Sequence, residues 1–435
     1  MLLRIKCISY NTMKKTIITY LIPLALTCGT NANELNIPDG ADASIGGVLF
    51  PHLHITGAIG DSSEDPEDLA AGAHDPTSEF TVQGIEPGLS LRLHENLEGF
   101  ATWNFAYGAE EEWEDEFEEG FIKLTNLPGG FELRGGRLLN RFGDQNTKHL
   151  HAWDTIDQHL VNARFLGDEA LATEGADLTW YLPTSFSSAL TVSYGEALAH
   201  DHGHGEEEHG HDEEEEEGHH DEGEEAEEAG FEDDFISANL VVKHNRDDFN
   251  QYTFSGSLAQ GENGFGEDTT IIGIGAHYTW RENGLEAGGN QFTWKNEFFF
   301  RDYKAGEGHG HGDEDDEGEH HDEEEEEGHD EEEEGHHDED EHELAGDDEF
   351  GFYSNAVYTF NKSTAAGLRL DYVAGVEELG LQERLRLSPH LTWHPTGEEH
   401  LHVRFQYNYD DREEDGDAHS GWVQLQYSFG GKEVR

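Results

Sequence analysis

The stretch Leu401-His402-Val403-Arg404-Phe405-Gln406-Tyr407-Asn408-Tyr409 decides the fold. Leu401, Val403, Phe405, Tyr407 and Tyr409 alternate with His402, Arg404, Gln406 and Asn408. Successive side chains of a β-strand point to opposite faces, so this segment has one oily face and one wet face. The period is 2 rather than 3.6, which excludes an amphipathic helix.

Working outward, segments of this kind recur near residues 46–59, 80–94, 97–108, 117–126, 130–138, 174–183, 186–197, 235–245, 249–260, 268–280, 290–304, 350–360, 364–374, 382–394, 399–409 and 419–429. Sixteen is an even number, as a closed up-and-down barrel of a bacterial outer membrane requires. No run of eighteen apolar residues follows the amino-terminal region, so no membrane-spanning helix is expected in the rest of the chain. A closed barrel is then the remaining way to cross a bilayer with every backbone polar group satisfied. Connection lengths point the same way, because short and long links alternate along most of the chain. Glu95-Asn96, Leu127-Pro128-Gly129, Pro183-Thr184-Ser185, Asn361-Lys362-Ser363 and Pro395-Thr396-Gly397 are tight turns, and every long or charged insertion falls between them. A soluble sandwich has no reason for such parity. The fold class expected is all-β, a transmembrane antiparallel barrel of about sixteen strands enclosing a water-filled lumen.

The amino terminus reads as an address. Met13, Lys14 and Lys15 open a basic region, Thr16 to Leu26 is apolar but too short to span, and Thr30-Asn31-Ala32 is a small-residue cleavage site. Residues 1–32 are thus expected to be a signal peptide starting at Met13, with the barrel spanning 33–435. Cys7 and Cys28 lie upstream of the cut, so the mature barrel should carry no thiol. The closing segment alternates Val423, Leu425, Tyr427 and Phe429 with Gln424, Gln426 and Ser428. It resembles the aromatic-ended last strand that barrel-assembly machinery recognises, although Gly430 to Arg435 follow where a strict terminal Phe would stand.

Charge is unevenly spread. The formal net charge of -72 and a hydrophobic content of 34% would suggest disorder, but aromatics at 11% recur at intervals that solvated acidic chains do not show. Asp201 to Asp234 holds 19 carboxylates and Glu307 to Glu349 holds 26, together 45 of the 97, with no Lys or Arg in either. Such a balance argues against a nucleic-acid partner, which needs cations to displace counterions. The two low-complexity surface loops, 199–234 and 305–349, are also rich in imidazole. The first carries His200, His202, His204, His209, His211, His219 and His220. The second carries His309, His311, His320, His321, His329, His336, His337 and His342. Imidazole with carboxylate suits Zn²⁺, Ni²⁺, Co²⁺ or Cu²⁺ as a bound or transported ion, with no permanent cofactor. No fixed ligand set can be read from the spacings, so modest affinity and several ions per chain are expected. The rival reading is a solvated brush.

The third outer loop, 139–173, is the longest without low complexity, and a loop in that place can fold inward to narrow a pore. It contains Arg141-Phe142-Gly143, Leu150-His151-Ala152-Trp153-Asp154, Asp157-Gln158-His159-Leu160-Val161-Asn162 and Phe165-Leu166-Gly167. Here the chain resembles a family of bacterial porin-like outer-membrane proteins found with zinc-uptake systems and often labelled zinc-regulated TonB-dependent receptors. The likeness is carried by about Gly120 to Pro183 and implies a link to zinc. A TonB-dependent receptor has a large amino-terminal plug and 22 strands. Here the first strand is expected soon after Ala32, so energised gating is not expected.

By alternation Arg369, Arg384, Arg386 and Arg404 face the lumen and form a basic wall. With the third loop folded in, Asp154 and Asp157 would face that wall across the constriction. The alternative is that these arginines pair with neighbours such as Asp371 and Glu383 and stiffen the wall. His52 and His54 also face inward, and His149, His151 and His159 lie in the inward loop, where a second metal site is conceivable. No nucleophile elbow, phosphate loop or ordered His-Glu-x-x-His helix occurs, so an enzyme is not expected. The reading reached is a passive outer-membrane channel that gathers divalent metal, zinc first, at its surface loops. Its rivals are a general or anion-preferring porin with protective loops and a surface metal-sequestering protein anchored by its barrel. Expected partners are outer-membrane lipid, divalent ions and the barrel-assembly machinery. Sixteen-strand porins are often homotrimers, but no interface is marked in the sequence.

Overall fold

A computed structural model of the chain describes residues 44–45, 48–108, 113–198, 230–286, 288–304, 346–360, 363–376, 381–395, 400–413, 415–430 and 433. The expected signal peptide therefore lies outside the described residues. Sixteen strands are found: β1 (Leu49–Ser62), β2 (Phe80–His94), β3 (Leu97–Tyr107), β4 (Trp113–Leu127), β5 (Phe131–Leu139), β6 (Ala172–Leu182), β7 (Ser187–Ala197) and β8 (Asp234–Asn245) make the first half. The second half is β9 (Asn250–Glu262), β10 (Asp268–Arg281), β11 (Gln291–Lys304), β12 (Gly346–Phe360), β13 (Thr364–Val373), β14 (Arg384–Trp393), β15 (Leu401–Arg412) and β16 (Gly416–Gly430). Each pairs antiparallel with its sequence neighbours, and β1 closes the barrel on β16 with Ile55 opposite Tyr427. Closure leaves no strand edge unpaired.

Every strand expected from alternation is present, but several extend further. β4 begins at Trp113 and β12 at Gly346, both four residues earlier than the apolar pattern indicates. The reason is that pairing continues above the lipid belt into water, where Glu114, Asp115 and Glu116 need no oily face.

The two faces separate as the alternation requires. On β15, Arg404, Gln406, Asn408, Asp410 and Arg412 are buried inside, while Phe405 and Tyr407 are exposed outside. Outward aromatic pairs gather at both rims: Phe131 with Trp180, Tyr252 with Tyr278 and Tyr358 with Phe360 near the short turns, and Tyr107 with Trp113 and Phe350 with Tyr372 near the long loops. These are the girdles that fix a barrel at the two membrane interfaces.

The third outer loop, L3 (140–171), turns into the lumen. It carries a 3-10 turn at Leu150–Ala152 and a short helix, α2 (Leu160–Leu166); α1 (Pro66–Leu69) lies in the first outer loop, L1 (63–79). Leu160, Val161, Phe165 and Leu166 pack with Phe142 against the inward-facing Ile271, Phe299, Tyr353 and Val373. Phe142 meets Phe299 edge-on at 5.4 Å. Gly273 leaves the room, since a Cβ there would stand 2.8 Å from the Phe142 ring. The main apolar core of this membrane protein is therefore inside the barrel, beneath L3.

Ile274, at mid-strand on β10, is 60% exposed and faces outward. Ile274→Arg should cost about 2–4 kcal/mol in lipid vesicles. Denaturant titration of the reconstituted barrel checks this, and an unchanged midpoint would mean the face is not lipid-bound.

Candidate functional site

L3 is held by one carboxylate. Asp157 Oδ1 accepts from Arg369 Nη1 at 2.8 Å and Gln406 Nε2 at 2.6 Å, and Oδ2 accepts from Arg386 Nη1 at 3.0 Å and Asn408 Nδ2 at 2.9 Å. The four donors come from β13, β14 and β15, whose inward positions are adjacent in register. Burial pushes the Asp157 carboxyl up, but Arg369 and Arg386 outweigh it and hold the group well below the ordinary carboxylate range. Around this clamp the loop backbone is also caught. Arg404 Nη2 donates to Trp153 O at 2.7 Å, Gln426 Nε2 to His151 O at 2.7 Å, and Ile156 N to Gln406 Oε1 at 3.0 Å.

The basic wall is thus largely spent on binding the loops, a different arrangement from a bare wall facing acids across a gap. Arg384 and Arg386 both contact Asp410 Oδ1, at 2.8 and 2.7 Å, and both donate to Leu69 O at the end of α1. Arg369 also pairs with Asp371 at 2.6 Å, the neighbour named from sequence, whereas Glu383 accepts from the Tyr372 hydroxyl. Asp154 does not reach the arginines as expected. It pairs with Lys295 of β11 at 2.5 Å, because the chain between the 3-10 turn and α2 turns the two acids to different walls. His159 lies tilted against Tyr353 with ring centres 3.9 Å apart.

Across the lumen, β1 to β4 present a different chemistry. His149 Nδ1 lies 2.8 Å from Glu118 and its Nε2 3.1 Å from Glu119. His151 Nδ1 is 3.0 Å from Glu86 Oε1, and His151 stacks on His54 with ring centres 3.6 Å apart. His74 lies 3.8 Å from Glu118. Burial pulls the His151 imidazole down, but Glu86 and Glu433 raise it to about 9. Beside this wall, between L1, L3 and β3 to β5, is a cavity of about 340 Å³. Glu114, Asp115, Glu116, Glu118 and Glu169 line it against Arg137 and Lys148. A wider space of about 930 Å³ lies above α2. Alternation places His52, His54 and Glu86 inside, whereas Glu118 turns inward beside Glu119 only because the β3–β4 register shifts between Glu116 and Glu119, and their meeting with L3 joins residues far apart in sequence, for which the sequence carries no signal. The fifteen loop histidines, His200 to His220 and His309 to His342, lie outside the described residues.

No family model matches the chain. A curated relative, an uncharacterized protein of Aquifex aeolicus (strain VF5), is 35% identical over 69 residues, which is 16% of this chain and 14% of that protein. The chain therefore spans a small part of that relative's length. Solved structures match over nearly the whole barrel. The anion-selective porin from Comamonas acidovorans has a TM-score of 0.50 at 8% identity, covering 88% of this chain and 98% of its own. The outer membrane channel DcaP of Acinetobacter baumannii also has 0.50 at 8% identity, with 90% and 100% covered. Pseudomonas putida OprB at high pH has 0.50 at 11% identity, with 88% and 94% covered. The fold is that of Gram-negative outer-membrane porins.

Asp157→Asn would leave Arg369 and Arg386 buried with less compensation, so L3 docking should weaken by roughly 3–5 kcal/mol. Limited proteolysis should then cut within L3; a loop as protected as in the parent would show that the clamp is dispensable. Asp75 of L1 accepts from Gln158 N at 2.6 Å, and burial together with Asp157 raises its carboxyl to about 6. Its proton favours the docked loops, so this contribution is full below about pH 4 and disappears as pH rises through about 6. Open-channel current should be quieter on the acid side of that value, and Asp75→Asn should flatten the difference.

Proposed function

We propose that this chain is a passive outer-membrane channel for small hydrophilic solutes, with a preference for cations. The observation that carries the reading is the division of the lumen. L3 neutralises the arginine wall through Asp157, and the cavity beside it is lined by five carboxylates against Arg137 and Lys148. A passage of that charge concentrates cations and repels anions. The acidic, imidazole-rich loops 199–234 and 305–349 add to the field at the outer mouth and gather divalent metal, zinc first, for that passage. The resemblance to porins found with zinc-uptake systems agrees with this reading.

The rival is a general or anion-preferring porin, and one porin of the same fold is named for anion selectivity. Reversal potentials of the reconstituted channel in a potassium chloride gradient separate the two. Potassium should be favoured over chloride several-fold, and a potential of the opposite sign would establish the anion-preferring porin instead. Zinc uptake into proteoliposomes with and without residues 201–234 and 307–349 tests the role of the loops. Faster uptake with intact loops is expected; equal uptake would make them a protective coat, and bound metal without uptake would indicate surface sequestration.

A further inference from the structure

Three imidazoles converge on one point of the lumen wall. Nε2 of His52, His54 and His151 stand 3.5, 3.4 and 3.3 Å from the same oxygen, Oε1 of Glu433. Two of these residues come from β1, one from the 3-10 turn of L3 and one from beyond β16. We infer that His52, His54, His151 and Glu433 form a binding site for one divalent transition-metal ion of the zinc type inside the barrel, separate from the surface-loop histidines.

The three distances to Glu433 Oε1 are those expected between donors of a tetrahedral set. Donors roughly 2.0–2.1 Å from a tetrahedral zinc stand about 3.3–3.4 Å from one another. The donor atoms of His52, His54 and Glu433 already lie within 4.8 Å of each other, and His151, stacked on His54 and 3.3 Å from Glu433, joins them by turning its ring toward the shared point. Two of the nitrogens lack any other engagement. Nε2 of His52 and Nε2 of His54 are buried and make no hydrogen bond, and the His52 side chain is 1% exposed. A buried polar atom left so is unfavourable, and a metal ion would satisfy it.

The outer shell has the form of a metal centre. The Nδ1 of His54 meets Ser428 Oγ at 2.8 Å, and the Nδ1 of His151 meets Glu86 Oε1 at 3.0 Å. The Glu86 carboxylate can only accept, so it holds the Nδ1 proton of His151, and an ion that displaces the proton between His151 Nε2 and Glu433 meets a ligand strengthened from behind. Gly88, opposite His52 in the ladder, is required for the ring to lie where it does. A Cβ at Gly88 would stand 1.9 Å from His52 Nε2. Three nitrogens with one oxygen favour zinc, cobalt or nickel over calcium or magnesium, which take oxygen. His54, His151 and Glu433 each keep 12–15% of their side-chain surface, so the site opens to the lumen.

The inference deepens the channel reading, since an ion entering the lumen would meet this site, but it is tested by equilibrium occupancy rather than by conduction. The full chain is crystallised without metal and soaked in a zinc chloride series, and anomalous difference maps are taken at the zinc edge. A peak shared by the three Nε2 atoms is expected. Gly88→Ala should abolish it with every ligand still present, and Glu86→Gln should raise the zinc concentration for half occupancy by about 10–100-fold. A map of the parent with zinc on the outer loops alone, or with none at this point at millimolar zinc, overturns the inference whatever the variants do. A peak unchanged in Gly88→Ala overturns the assignment of His52. Reversal potentials of the wrong sign would remove the cation channel and leave this site standing.

Discussion

A buried carboxylate organises the interior of this barrel. Asp157 is 2% exposed and receives four donors from three strands, two of them guanidinium groups that are themselves almost fully buried. Arg369 and Arg386 in a lumen of low dielectric would be costly without an anion. The anion sits on a loop, so neutralising the wall and bringing L3 inward are one event. The apolar cluster beneath α2 then packs as a consequence, and L1 follows because Arg384 and Arg386 also hold the Leu69 carbonyl. With the cationic wall covered, the carboxylates and imidazoles of β1 to β4 set the character of the remaining lumen.

The barrel itself was legible because its constraint is one-dimensional. Lipid on one side and water on the other impose a period of 2, so Leu401 to Tyr409 shows both faces without knowledge of any neighbour. The inward direction of Arg369, Arg384, Arg386 and Arg404 followed from the same parity. Strand ends were less legible where pairing outruns the lipid belt, as at Trp113 to Glu116. Inside L3 no periodicity exists. Asp154 and Asp157 are three residues apart, and their separation onto Lys295 and Arg386 depends on the path between a 3-10 turn and a helix. The contact of His151 with Glu86 likewise depends on how deep the loop reaches, a tertiary quantity.

The division of labour between wall and loop is consistent with barrels of this fold sharing so little sequence. Matching barrels at 8–11% identity need only keep the alternation and the turn positions. The pairs that define this lumen, such as Arg369 with Asp157, connect a strand to a loop and can change together without disturbing the ladder of backbone hydrogen bonds.

Closure of β1 on β16 has a consequence for the order in which the interior is made. His54 reaches Ser428 across a separation of 374 residues, and Gln83 reaches Gln424 across 341. Neither contact exists in a curled sheet that has not yet met its own first edge. The imidazole group on β1 therefore acquires its geometry only at the last step of assembly, and a stalled, open sheet presents those histidines without their carboxyl-terminal partners. Its ligand geometry is thus a record that the cylinder has been sealed, written at the seam.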